Sequence, residues 1–240
     1  VQMTYAETAG TEEILFQNGI LYLVTGNLAQ QRAADQAVRR GQKLPPVHKT
    51  IMTIDAATGR RLWEKTDNET ADQFAQTMAL KDGRVFFQNT RAVLCLDAAD
   101  GEQIWRQSRP AALRRPAWSV PTLVAYGDVV LSADRLAAGK IADDSKPQRV
   151  DWTVSFSGGN APPGEIIAFD AKTGKRIWAS KCQEGYNSPV DVLLTDGLLW
   201  TGNLVKAKDP GITKAGHRNS ALCGGRDVNR FQDEAWARNS

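Results

Sequence analysis

Histidine and cysteine are scarce in this chain of 240 residues, and their scarcity excludes several chemistries at once. There are two histidines, His48 and His217, and no nucleophile motif, so no Ser-His-Asp arrangement is proposed. Both read as solvated or structural side chains. The three cysteines, Cys95, Cys182 and Cys223, form no C-x-x-C and no adjacent pair, which argues against a zinc site and against a full disulfide framework. One disulfide plus one thiol, and three buried thiols, both stay open. Apolar runs such as Ile20 to Val24 and Val192 to Leu194 fall far short of the roughly 18 to 20 residues of a membrane-spanning helix, so no membrane span is expected. Charge of one sign is not in excess. Thirty Lys+Arg against 27 Asp+Glu leave +3, scattered except for pairs such as Arg39-Arg40 and Arg114-Arg115, which excludes a nucleic-acid footprint by charge. The chain opens on Val1 without a cationic stretch and apolar run, so a secretory signal is read as absent or already removed. What remains, 42% hydrophobic and 24% charged, is the composition of a globular protein of one or two domains.

A repeat organises the chain. Asp55-Ala56-Ala57-Thr58-Gly59-Arg60-Arg61-Leu62-Trp63 returns as Asp97-Ala98-Ala99-Asp100-Gly101-Glu102-Gln103-Ile104-Trp105 and again as Asp170-Ala171-Lys172-Thr173-Gly174-Lys175-Arg176-Ile177-Trp178. Each copy follows an apolar strand, turns at Thr-Gly or Asp-Gly, and ends its second strand at Trp. Glycine accepts the positive φ of such a turn and the leading Asp bonds to turn amides. A second hairpin lies upstream of each copy, its turn at Asn18-Gly19, Asp82-Gly83, Gly127-Asp128 and Asp196-Gly197 between apolar runs. Two hairpins per repeat make four strands, A to D.

The spacing separates constant from variable connections. From each hairpin Asp to the next upstream turn the separation is nearly constant: 55 to 83, 97 to 127, 170 to 197. From that turn to the following Asp it varies widely: 19 to 55, 83 to 97, 127 to 170. The insertions therefore fall in the B–C connection, and in an antiparallel sheet they decorate one face together with the D-to-A links. The first, Leu28 to Arg40, predicts a short exposed helix. The second, Leu136 to Gly164, carries Trp152, Phe156, Gly158-Gly159 and Pro162-Pro163, and is expected to fold over the mouth of a channel.

Four-stranded units recurring at this interval predict an all-β chain, a β-propeller of four-stranded antiparallel blades. The D-A-x-T-G-x-x-x-W hairpin resembles the tryptophan-docking repeat of the quinoprotein alcohol dehydrogenase-like family, which includes pyrroloquinoline quinone (PQQ) alcohol dehydrogenases and BamB-like assembly propellers. The resemblance covers residues 10 to 205 and implies that Trp63, Trp105 and Trp178 dock against neighbouring blades, with Asp55, Gly59, Asp97, Gly101, Asp170 and Gly174 as structural repeat positions. Blades are expected at 11–66, 72–107 and 117–181, with a partial fourth at 186–203 and a polar tail, 206–240, read as loop or poorly ordered chain. An open set of blades exposes sheet edges, so further blades or another protein chain are expected to cover them.

In a quinoprotein enzyme the resemblance implies acidic and amide ligands around calcium, a catalytic Asp, a Trp under PQQ and a disulfide between adjacent cysteines. No Cys-Cys pair occurs here, and no local set of Glu, Asn and Asp matches those roles. No catalytic or metal-ligating residue is assigned. Strand A lines the channel of a propeller, which makes Gln76, Thr77, Ser119, Thr122, Asn187, Ser188 and Asp191 the candidate ligand-binding residues. The expectation is a binding or scaffold module presenting its decorated face to a protein or other ligand. The alternative is part of a quinoprotein-like oxidoreductase with PQQ and calcium. The resemblance further implies a periplasmic or secreted bacterial setting.

Overall fold

The computed structural model describes residues 4, 5, 7–26, 33, 40, 48–115, 119–137, 144–152, 164–182, 192–204 and 220–227. The helix expected within 28–40, most of the second insertion, and Asn187, Ser188 and Asp191 lie outside them.

The fold is all-β. Strands β1 (Thr11–Gln17), β2 (Ile20–Gly26), β3 (Lys49–Asp55) and β4 (Arg61–Lys65) form one sheet. After a single 3-10 turn at Ala75–Thr77, strands β5 (Ala79–Lys81), β6 (Arg84–Gln88), β7 (Ala92–Asp97) and β8 (Gln103–Ser108) form the next. The third holds β9 (Thr122–Tyr126), β10 (Val129–Arg135), β11 (Gly164–Asp170) and β12 (Arg176–Cys182). The fourth holds β13 (Val192–Thr195), β14 (Leu198–Leu204) and β15 (Ser220–Asp227). The described strands all pair antiparallel with their neighbours in chain order, as in propeller blades. Where the sequence reading expects a polar loop after residue 206, the structure has β15 paired to β14. The reason is pairing: β14 offers an edge whose amides and carbonyls need partners, and a short segment of mixed composition satisfies them as well as a long apolar one.

The central strands are unbroken apolar runs because both their faces are covered. Val85, Phe86 and Phe87 on β6 and Val93 to Leu96 on β7 are all fully buried. The outer strand β4 is more open, with Trp63 buried and Arg61 and Glu64 exposed. In the A–B turns of the first, second and fourth sheets both central residues have positive φ, Asn18-Gly19, Asp82-Gly83 and Asp196-Gly197. The third sheet differs. Its ladder closes at Tyr126–Val129, so the turn is Gly127-Asp128, and Gly127 alone has positive φ. That sign pattern is the type II′ turn with Gly first, against type I′ elsewhere, and both match the twist of the strands.

Two compact units can be described separately. One comprises Val1–Pro110 with Gly139–Arg149, and holds the first two sheets around a core that includes Tyr22, Val24, Ile51 and Trp63 on one side and Val85, Phe87, Leu94 and Leu96 on the other. The second comprises Ala111–Ala138 with Val150–Ser240, and its core joins Leu131, Ala133, Ile166 and Ala168 to Leu199, Val192 and Leu194.

Candidate functional site

The repeat turns build a rigid frame. In the first, Asp55 Oδ1 accepts hydrogen bonds from the Ala57 amide (3.0 Å), the Thr58 amide (2.8 Å) and the Thr58 hydroxyl (2.9 Å). These bonds, from Thr58 first, hold the Asp55 carboxyl below the usual carboxylate range. Asp170 repeats the arrangement with Thr173 and Lys172, and its carboxyl is lowered chiefly by the Thr173 hydroxyl. At Asp97 the turn has Asp100 in place of Thr, so the carboxylate takes the Ala99 amide and Asp100 takes the Glu102 amide. The tryptophans differ in surroundings. The Trp63 indole N–H donates to the Ala98 carbonyl (3.0 Å) and its ring lies against Gly101, where a Cβ would stand 2.6 Å from the ring. Trp105 is buried and tilted against Phe86, with ring centroids 5.9 Å apart. Trp178 is half-buried beside the core of the second unit.

On the face carrying the B–C connections, the first unit gathers a connected polar network. Its centre is Arg91, in the short turn between β6 and β7, with a side chain wholly buried. The guanidinium donates to the Asp144 carbonyl (3.0 Å) and the Asn68 carbonyl, and pairs with Glu69 (3.3 Å) and Asp72 (3.4 Å). Arg106, on β8, reaches Glu69 (3.1 Å) and forms a two-pronged pair with the Asp144 carboxylate (3.0 and 2.9 Å). The Asp144 carboxylate, its largest partner, raises the Arg106 pKa further above its ordinary value. Asp72 also accepts from the Thr90 hydroxyl and the Gln148 amide (2.7 Å). Asn89 donates to the Glu69 carbonyl and carboxylate (2.9 and 2.8 Å) and caps the Arg91 and Ala92 amides. The consequence is mechanical. Residues 144–148 belong to the second insertion, and Arg91, Arg106 and Asp72 clamp them beside the B–C turn of the second sheet. Charge-assisted, bidentate bonds of this kind are the strong and geometrically specific ones.

The described residues of the second unit include a counterpart. Arg115, in the link before β9, pairs with Asp134 on β10 through two bonds (3.0 and 2.7 Å), both side chains wholly buried. It also donates to the carbonyls of Ser119 and Ala112. Gln73, by contrast, is buried with neither its amide nitrogen nor its oxygen bonded to the protein.

The candidates of the sequence reading fall into different surroundings. Gln76 is exposed on the 3-10 turn. Thr77 is buried, its hydroxyl donating to the Phe74 carbonyl (2.7 Å) and accepting the Gln88 amide (2.9 Å), so it ties strand A to strand B. Ser119 is buried beside Arg115, and Thr122 opens β9 opposite Ala133. The arginine network escaped the sequence reading. Its local half was visible as an acidic link, Asp67 to Asp72, near Arg91 and Arg106; its distant half, Asp144 and Gln148, carries no spacing signal.

The acids of this face do not fit a calcium ion. Glu69, Asp72 and Asp144 are already paired to guanidiniums, whereas calcium takes about six to eight oxygen donors. Among the described residues no group of His, Cys, Asp and Glu could hold a metal, and no helix is long and apolar enough to cross a membrane. Cys95 is a free, buried thiol, pushed up to about 12 by burial.

A family profile described as outer membrane protein assembly factor BamB matches residues 47–178. Similar solved structures include a europium-containing methanol dehydrogenase, at 15% identity over 74% of this chain and 26% of that one, TM-score 0.44. They also include BamB from Moraxella catarrhalis, at 14% identity over 77% of this chain and 40% of that one, TM-score 0.41. A third is the quinohemoprotein alcohol dehydrogenase from Comamonas testosteroni, at 18% identity over 70% and 20%, TM-score 0.39. This chain thus spans less than half the length of each of these. Curated protein sequences give no significant match.

Proposed function

Because the chain belongs to the PQQ-like repeat propeller family whose profile it matches over more than half its length, we propose that it is a binding module, presenting the face that carries the B–C connections to another protein. The observation that supports this is the Arg91–Arg106–Asp144 clamp. It holds an insertion segment down as part of a preorganised surface, and preorganisation lowers the ordering cost that association otherwise incurs. Lys146 stands exposed on that segment and Gln76 on the nearby 3-10 turn, offering polar contacts of the kind found at an interface rim. The setting is outside the cytoplasm, as the family resemblance implies. The repeat tryptophans act as structural docking residues between blades, Trp63 through the Ala98 carbonyl.

The second reading, an oxidoreductase fragment with PQQ and calcium, rests on the family resemblance and draws no support from the arginine-paired acids of this face. A photo-crosslinker placed at Gln76 or Lys146 in the full chain, exposed to periplasmic extract, is expected to label one protein. The same probe at Ile177, on outer strand β12, is expected to label none. Equal labelling from both positions overturns the proposal. A titration with PQQ and calcium, followed by tryptophan fluorescence, decides the second reading: saturable quenching at micromolar ligand establishes it in place of the first.

A further inference from the structure

The A–B turn of the first sheet differs from its counterparts in the group it offers for reaction. Asn18-Gly19 is the one Asn-Gly pair in the sequence; the second and fourth sheets turn at Asp82-Gly83 and Asp196-Gly197, and the third at Gly127-Asp128. Asn18 and Gly19 are both exposed, both have positive φ, and a Cβ built on Gly19 meets nothing within 4 Å. A neutral, thermolabile carboxamide therefore stands next to the least hindered backbone nitrogen that a chain provides. The related turns withhold one partner or the other. Asp82 carries a carboxylate paired with Lys81 (2.9 Å), a poor acceptor for a nucleophile, and the Gly197 amide donates to the Tyr126 hydroxyl (3.0 Å). Asn89 is withheld too: it is buried, its amide donates to Glu69, its oxygen accepts the Arg91 and Ala92 amides, and β-branched Thr90 follows it.

We propose that Asn18 is a site of spontaneous hydrolytic modification, converted through a succinimide to aspartate and isoaspartate. The Gly19 nitrogen gives up its proton to hydroxide and attacks Cγ of Asn18; the Cγ–Nδ2 bond breaks, and Nδ2 takes a proton from water and leaves as ammonia. Water then opens the ring. Breaking the new Cγ–N bond gives aspartate, whereas breaking the original peptide bond to Gly19 leaves the main chain running through Cβ and Cγ, which is isoaspartate. One water is consumed, one ammonia is released, and nothing is oxidised or reduced.

The fold treats the two products differently. Aspartate recreates the turn of the second and fourth sheets, where Asp82 and Asp196 have φ 47° and 51° against 52° for Asn18. Isoaspartate adds a main-chain carbon just ahead of Gly19, whose carbonyl accepts the Ala56 amide at 2.9 Å. The same bond runs from the Ala98 amide to the Gly83 carbonyl (2.9 Å) and from the Ala171 amide to the Asp128 carbonyl (2.8 Å), tying the A–B turn to the repeat hairpin in the first three sheets. Isoaspartate loosens that tie in the first sheet. The turn stands at the opposite end of β2 from the B–C connection, so this proposal and the binding function stand or fall separately.

The test ages the folded full chain in mildly alkaline buffer and maps its peptides by mass spectrometry, with fragmentation that distinguishes isoaspartate from aspartate. Both products are expected at Asn18, ahead of any change at Asn68 or Asn89, with one negative charge gained on ion exchange. An Asn18 that stays intact, or that reacts no faster than Asn89, overturns the proposal. Asn18→Asp is expected to keep the wild-type urea midpoint, and a lowered midpoint overturns the fit of aspartate to this turn. The isoaspartate form, separated by ion exchange, is expected to lose hydrogen-exchange protection at the Ala56 amide several-fold relative to Asn18→Asp. Equal protection in the two forms overturns the loosened tie.

Discussion

Trp63 makes two separable interactions, and two substitutions distinguish them. Trp63→Phe keeps most of the apolar ring but leaves the buried Ala98 carbonyl without its donor, which is expected to cost about 1–3 kcal/mol. Gly101→Ala leaves the donor in place but forces an alanine into φ +78° with its Cβ against the Trp63 ring. The backbone term alone is about 1–3 kcal/mol, and the clash adds to it. Urea midpoints measure both, and an unchanged midpoint for Gly101→Ala sinks the close-approach account. These residues were legible in the sequence because turn chemistry is local: Asp, Gly and Trp recur at fixed offsets within a few residues. Gln73 was not legible, since nothing in its neighbours foretells a buried amide without partners. Gln73→Met, which removes the unbonded amide and keeps the volume, is expected to raise stability by about 1 kcal/mol. A fall in the thermal midpoint instead would show the amide to be holding something.

The hairpins carry a pH dependence whose sign follows from their turns. Asp55 and Asp170 have carboxyls lowered by bonds from Thr58 and Thr173, so their folded pKa lies below the unfolded one. Their contribution is present above the unfolded value and is lost as pH falls through the folded one. The wild type is thus expected to exceed Asp55→Ala/Asp170→Ala in stability at neutral pH, and the difference to shrink below about pH 4. A difference constant across that range removes the turn carboxylates as its cause. The link before β9 gives a second case. Arg115 and Asp134 are wholly buried, so Asp134→Ala strands a charge and is expected to cost about 3–5 kcal/mol, while Arg115→Met/Asp134→Leu costs less than the single change. Equal costs in chemical denaturation contradict that reading. Strand order and turns were readable because period-2 apolar runs and Asn-Gly or Asp-Gly pairs are short-range signals. The β15 pairing was not, because its three apolar residues, Ala221 to Cys223, are consecutive rather than alternating and are followed by two glycines, and neither was the Arg115–Asp134 pair, whose partners stand on different elements.

Across the molecule, the repeat predicted which sheets exist but could not say where stability resides, since that depends on which cores close together. One core joins the first two sheets through Trp63, Val85 and Leu94; another joins the last two through Leu131, Ile166 and Leu199. In repeat architectures stability is approximately a sum of terms for each repeat and each nearest-neighbour interface. Leu199 is 3% exposed, so Leu199→Ala removes apolar contact and leaves a cavity, at a cost of about 2–5 kcal/mol. If interfaces act locally, native-state hydrogen exchange in the variant loses protection first in β9 to β14, while the amides of β1 to β4, which share no core residue with Leu199, keep theirs. An equal loss of protection in both sets would instead make the whole chain one cooperative unit, in which the loss of contacts around Leu199 is felt at every sheet.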